Sequence, residues 1–149
     1  MISLAKPPNS LGKLEDISIK LAGITGKVKN TINKKLVIIM CSDNGVVEEG
    51  VASSPQSVTL AQTINFTKGL TGVAVIAKAN NTDLKILDVG INCDFSHSEV
   101  IDRKIRKSTS NIAKGSAMTY EEAVKGILIG IEAVCDCLLY TSPSPRDTE

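Results

Sequence analysis

Tryptophan is absent from this sequence, and with two tyrosines and two phenylalanines its aromatic content is only 3%. That scarcity excludes the stacked aromatic platforms on which single-stranded nucleic acids bind. Charge of one sign is also missing. The formal net charge is +1, so the chain carries no electrostatic footprint for nucleic acid or an anionic membrane surface. No apolar run approaches the ~20 residues that a membrane span needs. The opening MISLAKPPNS lacks the basic start and apolar stretch of a secretory signal, so a cytoplasmic location is expected. Four cysteines, Cys41, Cys93, Cys135 and Cys137, are scattered without paired C-x-x-C units. They read as reduced, mostly buried thiols rather than metal ligands. The single histidine, His97, sits in the polar stretch Asp94–Ser98 and is expected to be solvated. Neither a metal nor a cofactor is implied, and no solenoid-type repeat is present.

What remains is ordinary material for a soluble domain: 149 residues, 42% hydrophobic and 22% charged. Pro7 and Pro8 exclude helix interior from residues 6–10, which form a stiff lead-in loop. Asn9 or Ser10 is then placed to cap a helix over 11–24, whose Leu11, Leu14, Ile17, Leu21 and Ile24 make one apolar face. Leu36–Met40 is a short β-branched run, the pattern of a parallel strand covered on both faces. It stops in Ser42-Asp43-Asn44-Gly45. A loop over 46–57, helical spacing over roughly 56–68, a join at Gly69–Gly72 and a short helix over 72–80 follow. Leu84–Gly90 reads as a second strand, and a short third strand is expected near Lys104–Ser108. Thr119-Tyr120-Glu121-Glu122 is a capping box, opening a helix that carries Val124, Ile127, Leu128, Ile131 and Val134. Alternation of strand and helix predicts an α/β fold with a parallel sheet and right-handed crossovers. The helical pattern stops at Asp136. Residues 137–149, rich in serine and proline, read as a non-native disordered tail resembling translated sequencing-adapter read-through.

Chemistry concentrates in Cys41–Pro55, a long loop at the carboxyl end of the first strand, where α/β proteins place ligand groups. Its glycines permit close backbone approach, its Ser and Asn offer hydrogen bonds to a polar heterocycle, and its Val and Ala supply apolar walls. A plain surface crossover with solvated Glu48 and Glu49 is the competing reading. No G-x-G-x-x-G follows either strand, which argues against a dinucleotide site.

Lys6-Pro7-Pro8-Asn9-Ser10-Leu11-Gly12-Lys13-Leu14-Glu15 resembles the K-P-P-G-S-L-G-R-L-E signature that opens the nicotinate-nucleotide:dimethylbenzimidazole phosphoribosyltransferases. Residues 41–55 are similar to that family's (C/A)-x-D-H-G-V-x-x-E-G-V-x-x-x-P. Val58-Thr59, Gln62, Asn65, Gly69, Thr71-Gly72-Val73, Asp88-Val89-Gly90 and Asn111-Ile112-Ala113 with Gly115, Ala117 and Met118 follow in the family's order. The resemblance spans about residues 4–136. It implies a Rossmann-like parallel sheet with flanking helices, incomplete here, plus part of a small helical domain. Residues 1–30 would belong to the helical part and 31–136 to the N-terminal portion of the α/β domain.

The resemblance further implies an enzyme that moves phosphoribose from nicotinate mononucleotide to 5,6-dimethylbenzimidazole, giving α-ribazole 5′-phosphate and nicotinate in cobalamin nucleotide-loop synthesis. Ser54 and Gln62 match positions lining the benzimidazole pocket; Asp43, Asn44 and Val51 match the loop that frames it. Asn44 stands where the family usually has His, which keeps hydrogen bonding but not titration near neutral pH. The family's catalytic glutamate lies beyond the matched region, so no catalytic residue is assigned and this polypeptide is expected to be inactive. Glu121, Glu122 and Glu132 are helix residues and do not fill that role. A homodimer is implied for the complete enzyme, with small molecules rather than nucleic acid or membrane as partners. The alternative is a non-catalytic module that binds benzimidazole-type bases.

Overall fold

The computed structural model describes residue 7, residues 10–32 and residues 34–141, with side chains described to Cys137. The chain divides into two units, Met1–Asn33 and Lys34–Glu149. The first holds one helix, α1 (Lys13–Thr25), closed by Gly26 in the left-handed conformation at φ 67°. Ser10 does not cap the helix as expected. Asn9 lies outside the described residues, and the N-cap is Gly12 at φ 51°, with no side-chain cap bond. Glu15 instead reaches back to accept from the Leu11 N–H at 3.1 Å. α1 buries no residue, so its apolar face has nothing to cover it within its own unit.

The second unit is an α/β sheet of three parallel strands in the order β1-β2-β3: β1 (Leu36–Ser42), β2 (Asp83–Gly90) and β3 (Val100–Asp102). Side chains alternate between its faces, as strand geometry demands. Cys41, Ile86 and Ile91 form one buried cluster, joined by Ile39 and by Leu60 and Phe66 of α2 (Ser57–Thr67). Leu87 forms the other, with Ile129 and Ala133 of α4 (Tyr120–Thr141) and the half-buried Ile38, Val89 and Ile105. Helices therefore cover both faces. Burying Leu87 and Ile91, each 2% exposed or less, is worth about 1.5–3 kcal/mol apiece. Between β1 and β2 the chain also forms α3 (Gly72–Ala79), capped by Thr71, whose Oγ1 accepts from the Ala74 N–H at 3.3 Å.

Several expectations need correction. β1 is an edge strand and only half-buried, with Met40 44% exposed; the central, most buried strand is β2. An apolar run shows that a strand can be covered, not which neighbours cover it. The third strand lies at Val100–Asp102, and Lys104–Ser108 is a bend. The capping box forms as read: Thr119 N–H donates to Glu122 Oε2 and Glu122 N–H to Thr119 Oγ1. Yet the helix it opens faces the sheet through Ile129 and Ala133, leaving Ile127, Leu128, Ile131 and Val134 about half exposed or more. That helix also continues through Thr141, past Asp136, so residues 137–141 are helical rather than disordered; residues 142–149 lie outside the described residues. Of the cysteines only Cys41 is buried, and Cys135 is exposed. Burial pushes the Cys41 thiol above its ordinary range, so it is a packing group rather than a nucleophile. His97 is half-buried rather than solvated, its Nδ1 accepting from the Glu99 N–H at 3.2 Å.

Candidate functional site

The carboxyl ends of β1 and β2 are tied together before any ligand group is considered. The register slips between Cys41 and Ser42, so Ser42 pairs with Gly90 rather than Val89. Such an irregularity re-aims the residues that follow it. Asp43, 5% exposed, then acts as a stitch. Its N–H donates to the Gly90 carbonyl at 3.1 Å, and its own carbonyl accepts from the Thr109 N–H at 3.1 Å. Its carboxylate accepts from the Asn92 N–H at 2.8 Å. Asp88 does the equivalent for β2. Its Oδ1 accepts from the N–H groups of Gly90 and Ile91, and its Oδ2 pairs with Lys104 Nζ at 3.1 Å.

From this platform the chain turns through a short 3-10 turn, Gly45–Glu49, closed by Gly50 at φ 70°. Gly45 is buried directly against another segment. A Cβ there would lie 2.5 Å from the Thr109 carbonyl oxygen and 2.7–2.8 Å from the Ser110 and Asn111 backbone. Its N–H donates to Thr109 Oγ1 at 3.2 Å. At the turn's other end, Asn111 Nδ2 donates to Glu49 Oε1 at 2.6 Å, and Lys114 Nζ pairs with Glu48 at 2.8 Å. The Lys114 hydrogen bond, then that of Asn111, holds the exposed Glu48 carboxyl below its ordinary range.

Gln56, just ahead of α2, draws the pieces together. Its Nε2 donates to the Asn44 carbonyl at 3.2 Å and more weakly to Ser108 Oγ at 3.5 Å; its Oε1 accepts from Asn92 Nδ2 at 2.9 Å. Ser108 is buried at φ 57°, a left-handed conformation uncommon outside glycine. It is held there in part by its N–H bond to the Gly90 carbonyl.

Between turn, loop and helix lies a cavity of about 270 Å³, near the lower end for small-molecule sites, about 300 Å³. Ser42, Asp43 and Asn44 line it from the strand end, and Val46 and Val47 from the turn. Val51, Ala52, Ser54 and Pro55 contribute from the loop, and Gln56, Val58 and Thr59 from the start of α2. Four of the five residues read from sequence, Asp43, Asn44, Val51 and Ser54, therefore share one cavity. The fifth, Gln62, is not in its lining. It is an exposed residue of α2, one turn beyond Val58 and Thr59. The Ser54 hydroxyl makes no hydrogen bond to the described residues, which leaves it available to a ligand. Asp43 is the one carboxylate in the lining, and its bonds are to backbone. The cavity can thus bind and orient a flat polar ring, with the Asp43 carboxylate as its one acidic group.

A smaller cavity of about 110 Å³ shares Ser42 and Asp43 and extends toward Arg106 and Glu122. A larger hollow, about 750 Å³, is an open groove around Asp83, Lys78 and Glu99 at the opposite end of the sheet. Ligands of parallel sheets bind outside the carboxyl ends of strands, so the smaller hollow beside β1 is the better candidate. Gln56, Thr109 and Asn111 were not singled out as site residues by sequence reasoning. Their partners lie up to 64 residues away, and no local pattern reports such contacts. Among the described residues no helix is long and apolar enough to cross a membrane.

Residues 1–139 match the sequence profile of a family described as phosphoribosyltransferase. Over 132 residues the chain is 68% identical to a nicotinate-nucleotide–dimethylbenzimidazole phosphoribosyltransferase of Clostridium perfringens, a match covering 89% of this chain and 37% of that relative. It is 52% identical over 134 residues to the protein of the same name from Clostridium tetani, covering 90% and 37% respectively. The fold is similar to the crystal structure of CobT from Thermus thermophilus, with a TM-score of 0.79 and 37% identity over 93% of this chain and 42% of that one. The chain thus spans little more than a third of the length of its curated relatives.

Proposed function

Because this chain belongs to the nicotinate-nucleotide–dimethylbenzimidazole phosphoribosyltransferase family, we propose that the cavity beside β1 receives the benzimidazole base of the reaction carried out by the whole protein. That reaction moves phosphoribose from nicotinate mononucleotide to 5,6-dimethylbenzimidazole and yields α-ribazole 5′-phosphate and nicotinate, a step of cobalamin nucleotide-loop synthesis. The observation that carries the reading is the convergence of Asp43, Asn44, Val51 and Ser54 on one cavity.

The chemistry suits such a division of labour. The ring nitrogen of the ribosylated nicotinate is positively charged, so nicotinate is already a good leaving group. A neutral benzimidazole nitrogen attacks the anomeric carbon from the opposite face with inversion. The protein's main contribution is to hold two flat rings in line about one sugar. Val46, Val47 and Val51 would sandwich the base, and Ser54 would direct one ring nitrogen. A carboxylate takes the proton from the other nitrogen as the bond forms. Asp43 is the only carboxylate in this lining and one of its oxygens accepts from the Asn92 N–H; the family's glutamate lies beyond the matched region, and that role is assigned to it in the full-length protein. On this reading the partners are small molecules, not nucleic acid or membrane, the setting is the cytoplasm, and the complete enzyme is a homodimer.

Two measurements test this. Calorimetry of the 149-residue chain with 5,6-dimethylbenzimidazole should show one-site binding, and no nicotinate should be released when nicotinate mononucleotide is added. Absence of binding would remove the base assignment, and nicotinate release would refute the external carboxylate. In the full-length enzyme, Gln62→Ala should raise the KM for the base several-fold and leave that for the nucleotide nearly unchanged. Equal losses would make Gln62 a structural residue of α2.

A further inference from the structure

We propose that Asn111 is a positioning residue for the base cavity: its buried amide clamps the far end of the 3-10 turn that forms one cavity wall. The inference rests on the base reading above for its ligand, but its geometry stands apart from that reading.

Gly45–Glu49 is too short to hold its own shape. Backbone bonds from the Val47 N–H to the Asn44 carbonyl and from the Gly50 N–H to the Val47 carbonyl join it to its flanks, and 3-10 hydrogen bonds are poorly aligned. Val46 and Val47, which line the cavity, therefore stand where the turn's two ends are fixed. The near end is set by Gly45 packed on the Thr109–Asn111 backbone. The far end is set by Asn111, 8% exposed. Its Nδ2 donates to Glu49 Oε1 at 2.6 Å and more weakly to Glu48 Oε2 at 3.4 Å; its Oδ1 accepts from the Ala113 N–H at 3.0 Å. Both amide hydrogens and the amide oxygen are thus engaged, and the orientation of the group is determined. Lys114 pairs with both glutamates and offsets their mutual repulsion. Asn111 itself is not in the cavity lining, so it acts on a ligand only through the turn.

Asn111→Asp tests the clamp with almost no change of shape. The donor becomes a carboxylate facing Glu48 and Glu49, with Lys114 as the counter-charge. Affinity of the 149-residue chain for 5,6-dimethylbenzimidazole should fall about tenfold or more. Hydrogen exchange of the Val47 and Gly50 amides should accelerate while β2 keeps its protection. Adding Glu49→Gln to that variant supplies a donor opposite the new carboxylate and should restore most of the affinity and the protection. Unchanged affinity with unchanged exchange would overturn the clamp, as would loosening that spreads equally to β2 or a double variant with no recovery. Should the unaltered chain fail to bind the base, the base reading falls. The clamp is then decided by exchange alone: acceleration confined to the turn upholds it, and unchanged exchange removes it.

Discussion

A Gly45→Ala chain should unfold at markedly lower urea and lose benzimidazole binding together with its stability. The added methyl would sit 2.5 Å from the Thr109 carbonyl oxygen and under 3 Å from two further backbone atoms. Backbone cannot swing aside as the end of a side chain can, so either the turn or the 109–111 segment must move. Overpacking of this kind costs about 1–3 kcal/mol, and the upper part of that range applies because every clashing atom is main chain. Movement would also break the Gly45 N–H bond to Thr109 Oγ1 and the Thr109 N–H bond to the Asp43 carbonyl. A midpoint lowered by roughly 10 °C in a thermal scan is the corresponding expectation. A Gly50→Ala comparison separates sterics from backbone freedom. Gly50 meets nothing within 4 Å but holds φ 70°, so its loss should be smaller, about 1 kcal/mol.

The second large effect is expected at Asp88, which is buried to 2% exposure at the end of the central strand. Asp88→Ala removes the acceptor for two backbone N–H groups and strands Lys104, whose side chain is only 17% exposed. Breaking a buried pair by removing one partner costs about 3–5 kcal/mol. Asp88→Asn can keep the Oδ1 acceptor for the two backbone N–H groups but turns an amide donor toward Lys104 in place of Oδ2, so it loses the lysine pair alone and should be milder. The Cys93 carbonyl that accepts from Lys104, and the Phe95 ring centred 5.8 Å from its Nζ, are unaltered by the substitution. Urea unfolding of both variants measures the difference. Equal losses would mean that the lysine pair, not the two backbone bonds, carries the contribution of Asp88.

Elements with an unambiguous local signal were legible in the sequence. β1 is a short β-branched run, β2 an apolar-rich run ending in Asp-Val-Gly, α3 follows a broken join, and α4 starts at a capping box whose two reciprocal bonds form. Elements defined by their neighbours were not. Val100-Ile101-Asp102 is too short to show a period, while Ile105–Ser108 bends although the Ile105 and Ser108 N–H groups still donate to the Val89 and Gly90 carbonyls at the end of β2. α4 carries two apolar stripes, and only packing selects Ile129 and Ala133 over Ile127, Leu128, Ile131 and Val134. Those four and the half-open β1 are apolar surface exposed among the described residues of the second unit.

The site followed the same division. Asp43, Asn44, Val51 and Ser54 stand close together in one loop, so a contiguous motif places them. Gln56 interrupted no pattern, and its hydrogen bonds to Asn92 and Ser108 are 36 and 52 residues distant. Asn111 was visible as part of a motif, but its hold on Glu49 is 62 residues away and is a fact of folding. For Gln62, helical geometry sets the position one turn past the cavity lining, which is why its role requires the KM comparison.

The base site requires a flat azole to sit between the Gly45–Glu49 turn and the start of α2. Titration of the isotope-labelled 149-residue chain with 5,6-dimethylbenzimidazole, followed by amide NMR, tests this most directly. The account predicts saturable shifts centred on Val46, Val47, Val51, Ala52, Ser54 and Gln56. Shifts centred instead on Phe66, Lys78 and Glu99, or none at all, would contradict it.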